Sequence, residues 1–314
     1  MMLSRVGERV YWMARYLERV ENIARLLNVH TALLMDLPID RGITWYTLVQ
    51  IFDGEEAFKD AYDVVDESNI MQFLITDTNN SSSLLSALLA ARENTRTSLD
   101  ALPEETWEQV NELYLMTKEA LPSINNRYRR QKLMLKIMTR CQTIFGILGN
   151  HMSRNTAYDF IQVGKYIERA DMTSRTLDMA TLLLSDSRSE TVKKYEVILW
   201  TNLLRALSAH QMYLQDKRVS VKAKKVLNFL VNNDEFPRSL AFSVMAIGTY
   251  LQDLPNAGKV LAIQNEMDDK LVDYNEELKN TRDVHLVMEK FQVDMGEIHT
   301  AIRDTWFYPD ATAE

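Results

Sequence analysis

Glycine and proline are scarce in this chain: 9 and 6 among 314 residues, each well under half the usual share of about 7% and 5%. So few turn-formers cannot supply the many tight turns of a β-sandwich or barrel. The single cysteine, Cys141, excludes a disulfide framework and any zinc or iron–sulfur site built on several cysteines. It also points to a reducing, cytoplasmic setting. No apolar run approaches the roughly 18 residues of a membrane span. The N-terminus mixes Arg5, Glu8, Arg9 and Arg15 with apolar residues, an amphipathic pattern rather than a signal peptide.

Catalytic signatures are missing too. Di-iron bundles need a carboxylate three residues before a histidine. Here His30, His151, His210, His285 and His299 follow Leu27, Leu148, Leu207, Arg282 and Gly296. There is no His-Glu-x-x-His, Gly-x-Ser-x-Gly, phosphate-cradling glycine loop or dinucleotide fingerprint. No metal and no cofactor is therefore expected, and Cys141, set between Ile137 and Ile144, reads as a buried, inert thiol.

What is present is helical patterning. Apolar residues make up 46% of the chain, enough for a full core. Leu3, Val6, Val10, Met13, Leu17, Val20, Ala24, Leu27, Thr31 and Leu34 follow alternating steps of three and four. This predicts one helix over 4–35, with Ser4 as its N-cap and Pro38 as its stop. Trp12, Tyr16, Ile23, Leu26 and Leu33 widen the apolar surface, so more than one face should be covered. Further helices are expected over 84–99 and 103–120, from near Asn125 with Leu133, Ile137, Ile144 and Leu148 buried, and over 190–216, 219–231, 238–253 and 256–279. A last helix carries Val284, Met288, Phe291, Met295, Ile298 and Ile302 on one stripe.

The first segment also recurs. YLERVENIARLLNVHTALL (16–34) matches YIERADMTSRTLDMATLLL (166–184). Trp45, Leu48 and Val49 return as Trp200, Leu203 and Leu204, IMQFLITD (70–77) as VLNFLVNN (226–233), and Ser83-Leu84 as Ser239-Leu240. Collinear matches are what a tandem duplication leaves. The expected fold class is all-α: a multi-helix bundle of two related halves, 1–148 and 149–314, packed as one body.

Glu18, Glu21 and Arg25 share one helix face, and Glu168, Asp171 and Arg175 repeat the arrangement. Arg19 and Arg169 point about 100° away (one residue's turn), near Tyr16 and Tyr166. Three readings are open. The pairs are surface ion pairs worth a few tenths of a kcal/mol, or a buried network that sets how the halves dock. Or they line a polar pocket between the repeats, where arginines hold a carboxylate or phosphate and a glutamate acts as acid or base.

The run MLSRVGERVYWMARYLERVENIARLLNV, with AARENTR, DEFPRSL and GKYIERADMTSR, resembles the bacterial alpha-E proteins. That family is an all-helical domain with a Glu-Arg motif and unknown function, and the resemblance runs essentially end to end. It maps the motif onto Glu18-Arg19 and Glu168-Arg169, a third charged segment onto Arg92, Glu93, Asn94 and Arg96, and a helix-entry motif onto Pro237-Arg238-Ser239. Relatives are encoded beside or fused to a circularly permuted ATP-grasp enzyme, often with a transglutaminase-like protease. The resemblance thus implies partners that make or trim amide-linked peptides.

Arg92, Glu93, Asn94 and Arg96 also read as a solvated helix end. Ser239 reads as a helix cap, with Arg238 beside it able to add charge for an anion. From 120 to 158 there is no acidic residue, although the chain carries a net charge of −8. Arg129, Lys132, Lys136 and Arg140 in that stretch are spaced for one helix face, either solvated or a docking surface for an acidic partner or anionic ligand. Nucleic acid is not expected, since the overall charge repels phosphate and no reader motif is visible. The function expected is that of a non-metal accessory or partner-binding protein. The rivals are an enzyme with a Glu/Arg pocket and a pure scaffold.

Overall fold

The computed structural model describes residues 4–36, 44–185, 190–217, 220–278 and 284–308. Among them are fourteen α-helices and no strand. They group into two compact units, Met1–Lys165 and Tyr166–Glu314.

In the first unit α1 (Ser4–Asp36) packs against α5 (Leu84–Arg96) and α7 (Arg127–His151), and α6 (Glu104–Ala120) packs on both α5 and α7. The three-four seam explains this. Val10, Met13, Leu17, Val20, Ala24 and Leu27 are all buried, at about 1.5–3 kcal/mol for each large side chain. Leu3 and Pro38 lie outside the described residues. Ser4 is itself helical, not the cap. Short helices α2 (Tyr46–Ile51), α3 (Glu55–Ala61) and α4 (Glu67–Met71) lead into a π-helical turn, Gln72–Thr76, which packs on α5.

Short polar side chains start several helices by accepting a free backbone N–H. Asp66 takes Asn69 N (2.8 Å), Ser83 takes Ser86 N (3.2 Å) and Asn126 takes Arg129 N (3.0 Å). Two of the expected bounds differ from those observed. The helix expected over 84–99 ends at Arg96, and Leu99–Ala101 forms a separate 3₁₀ turn. Pro103 sits at the N-cap of α6 rather than in its first turn.

Arg130, the largest fully buried side chain, is 1% exposed. Its guanidinium donates to the Ile124 carbonyl (2.8 Å) and to Glu67 Oε1 (2.6 Å), and lies 5.5 Å from the Trp45 ring centre. Arg127 also binds Glu67, with its Nε at 3.0 Å. This three-residue cluster ties the start of α7 to α4.

In the second unit α12 (Leu240–Gln252), α13 (Gly258–Glu277) and α14 (Val284–Ile302) pack in sequence, with α11 (Ala223–Asn232) on α12, α13 and α9 (Glu190–Ala206). The expected stripe of α14 is buried along its length. The helix expected over 190–216 is broken in two, because Ser208 adopts a left-handed φ of 53° and α10 (His210–Lys217) starts afresh. Asp53 and Asn256 also take left-handed conformations, so this glycine-poor chain builds such turns from other short polar residues. Among the described residues no helix is long and apolar enough to cross a membrane.

Two glycines inside helices differ sharply. A Cβ on Gly164, in α8 (Thr156–Ser185), would run into the Tyr11 carbonyl oxygen, with the carbonyl carbon at 3.1 Å. A Cβ on Gly146 in α7 would meet nothing within 4 Å. Gly164→Ala is therefore expected to cost about 1–3 kcal/mol, since backbone must move. Gly146→Ala should gain up to about 1 kcal/mol of helix propensity. Urea unfolding of both variants checks this, and shifts of the same sign would refute it.

Candidate functional site

α1 turns Glu18, Glu21 and Arg25 inward: Glu18 is fully buried, Glu21 is 2% exposed and Arg25 3%. Arg25 donates through Nη2 to Glu21 Oε1 and through Nη1 to Asn22 Oδ1 (2.8 Å). Its Nε–H is buried with no acceptor among the described residues. From α7, Gln142 Nε2 donates to Glu21 Oε1 at 3.2 Å. The surface-pair reading therefore fails for Glu21–Arg25. The buried Glu21 carboxylate is held in place by Arg25 and Gln142, as a desolvated charge requires.

Cys141 is fully buried beside this cluster. Burial pushes its thiol well above the ordinary value, and the charges of Glu21 and Glu18 push it further, against a smaller opposing effect of Arg25. The thiolate that nucleophilic chemistry needs is disfavoured here.

The arginines on the neighbouring face stack on aromatic rings. Arg19 lies 5.9 Å from the Tyr16 ring centre and Arg15 4.9 Å from that of Trp12, and Trp12 and Tyr16 stack at 5.5 Å. Such contacts favour the cation at about 0.5–2 kcal/mol each.

In the second unit Glu168 is fully buried and Arg169 nearly so. The Arg169 guanidinium lies 5.3 Å from the Tyr166 ring centre, and Nη1 donates to the Pro237 carbonyl at 3.2 Å. Thr173 Oγ1 donates to the Arg238 carbonyl at 3.3 Å. The residues of the Glu168-Arg169 helix and of the Pro237-Arg238-Ser239 segment, far apart in sequence, are thus brought together. Ser239 caps α12 by accepting Phe242 N at 3.0 Å and donates its hydroxyl to the Asn233 carbonyl. Tyr166 also contacts Phe242 and Tyr250 of α12 (ring centres 5.8 and 6.4 Å).

Arg175 Nε donates to Asp171 Oδ2 at 2.9 Å, but this pair is part-exposed, at 26% and 20%. Nearby in sequence, Asp178 Oδ1 meets His285 Nδ1 at 2.7 Å, a contact across 107 residues that no local pattern announces. Burial raises the Asp178 carboxyl, and the His285 hydrogen bond opposes that effect.

The third charged segment splits. Arg92 is half-buried, donates from Nε to Asn111 Oδ1 (2.8 Å) and lies near the rings of Trp107 and Tyr114 (5.3 and 5.0 Å), all on α6. Glu93 and Arg96 form an exposed pair at 2.7 Å, and Arg96 holds the Glu93 carboxyl below its ordinary value. Asn94 is half-buried.

On the basic face, Arg129, Lys132 and Lys136 are exposed and line an open groove with Met116, Glu119 and Leu133. Arg140 is engaged, by Gln109 Oε1 and Glu112 Oε1, both at 2.6 Å. Among the described residues no three His, Cys, Asp or Glu side chains come together as a metal-binding group.

No curated protein and no solved structure matches the chain. One family does, described as a predicted alpha-helical domain with a conserved ER motif, over residues 2–307. With nearly the whole length matched, the chain belongs to the Alpha-E family.

Proposed function

We propose that this Alpha-E protein is a non-metal accessory protein that binds and assists a circularly permuted ATP-grasp ligase in making or modifying amide-linked peptides. The observation that carries this reading is where the reactive side chains point. Glu21 and Arg25 are buried against each other. Burial raises the Cys141 thiol. His30 is driven down to about 4 by burial, against a weaker opposing effect of its hydrogen bond to the Thr44 carbonyl. Groups turned inward in this way favour holding a shape for a partner over turning over a substrate. The ligase, and the transglutaminase-like protein as a second partner, come from the resemblance of the sequence to this family.

The same buried pair supports a purely structural role as the second reading. Co-expression with the ligase separates the two. The accessory reading expects the ligase to co-purify and its product to rise when this chain is present. It also expects Glu18→Gln to stay folded while losing that gain. Identical product with and without the chain would defeat it, and a Glu18→Gln protein that only melts earlier would leave the scaffold.

A further inference from the structure

Two helices carry matching stripes of opposite charge on their solvent sides. On α7, Arg129, Lys132 and Lys136 are exposed, and Leu135, directly before the last of them, is 50% exposed. α13 buries Val260, Gln264, Met267, Leu271 and Tyr274. Its opposite face exposes Glu266, Asp269 and Asp273, with Val272, again directly before the last charge, 64% exposed. Both triads step by three and then four residues, so each covers about 10 Å of helix.

Most neighbouring charges are engaged elsewhere, although the charge of Glu266 also acts on Lys270. Arg140 is held by Glu112, Lys270 by Asp294 (2.5 Å), and Asp268 accepts from Gln264 (2.7 Å). Among the described residues, Glu119 is the one acidic side chain lining the α7 groove beside Arg129 and Lys132. It reduces the local positive charge without cancelling it.

We propose that the basic stripe of α7 on one copy of this chain docks on the acidic stripe of α13 on a second copy. Aligned in parallel, Arg129 meets Glu266, Lys132 meets Asp269 and Lys136 meets Asp273. The two surfaces differ, so the contact is heterologous and leaves one stripe of each kind free at the ends. Such an interface grows into a ring or an open filament. A patch of this length is small, below the roughly 1,000 Å² of a stable complex, so association depends on concentration. The inference does not rest on the ligase reading and is tested without any ligase.

Analytical ultracentrifugation of the full chain in low salt tests it. The mean mass should rise from micromolar to near-millimolar protein and fall back in about 0.5 M salt, where exposed charges are screened. Lys132→Glu with Lys136→Glu should give a monomer, and so should Asp269→Lys with Asp273→Lys. All four residues are exposed, and circular dichroism confirms that both variants keep their helix. Mixed one to one, the two variants should associate again, because each carries the stripe the other needs. A wild-type chain that stays monomeric overturns the proposal, as does association that survives both reversals or a mixture that remains monomeric. A monomeric chain that binds labelled poly-glutamate through α7 would assign the groove to a foreign acidic protein instead. One that binds labelled duplex DNA would assign it to nucleic acid.

Discussion

Replacing Arg25 with methionine is expected to lower the unfolding free energy by about 3–5 kcal/mol, the range for breaking one side of a buried ion pair. Methionine keeps an unbranched apolar stem, so the change removes the charge and its donors while disturbing packing least. What remains is the Glu21 carboxylate, 2% exposed, without the guanidinium that faces it. Asn22 Oδ1 loses its donor as well. The corresponding change in the second unit, Arg175→Met, should cost less. Water reaches both members of the Asp171–Arg175 pair, and exposed pairs are worth at most about 1 kcal/mol. Arg25→Lys should fall between, since it keeps the charge but loses the planar fork that reaches Glu21 and Asn22 together. Urea unfolding at neutral pH ranks the three. Equal losses for Arg25→Met and Arg175→Met would show that burial is not what separates the two pairs.

That contrast marks how far the sequence could be read. The step of three and four in α1 placed Glu18, Glu21 and Arg25 on one face, and the apolar flanks implied that the face is covered. The side chains are indeed buried. Periodicity reports local geometry, and local geometry was enough for the Arg19–Tyr16 and Arg169–Tyr166 contacts, each between residues three apart. It could not tell that one Glu/Asp–Arg pair is dry and its counterpart part-wet, because burial depends on neighbours from other elements.

Arg130 shows the limit most clearly. In sequence it is one more cation in a basic run beside Arg127 and Arg129, with nothing to mark it as the one that turns inward. Its acceptors are Glu67, on a helix 63 residues earlier, and the Ile124 carbonyl, released where the 3₁₀ turn Leu121–Ser123 ends before α7. The break at Ser208 was hidden for a different reason. Left-handed turns are read from glycine, and here serine takes the position.

Between about pH 6.5 and pH 4 the protein is expected to lose roughly 3 kcal/mol of stability through His30 alone. His30 lies in α1, is 6% exposed, and holds its Nε2 at 2.8 Å from the Thr44 carbonyl with its ring centre 5.4 Å from that of Trp45. Burial drives its folded-state value down to about 4, and the Thr44 hydrogen bond opposes this only in part. The unfolded chain keeps the ordinary histidine value of about 6.5. As pH falls through this window the unfolded chain takes up the proton first, so stability is full above the window and drains away towards its lower end. Glu67 acts in the same direction but lower down. Burial would raise its carboxyl, yet Arg127 and Arg130 hold it below the ordinary glutamate value, so its contribution is lost only as pH falls through that depressed value. His30→Gln removes the imidazole titration and leaves Glu67 in place. Unfolding free energies at about pH 7 and about pH 4.5 should therefore fall more steeply for wild type than for the variant, by up to roughly 1.4 kcal/mol for each pH unit. Parallel profiles would mean that the imidazole can charge inside the folded chain, and that the α1–Thr44 contact opens to water.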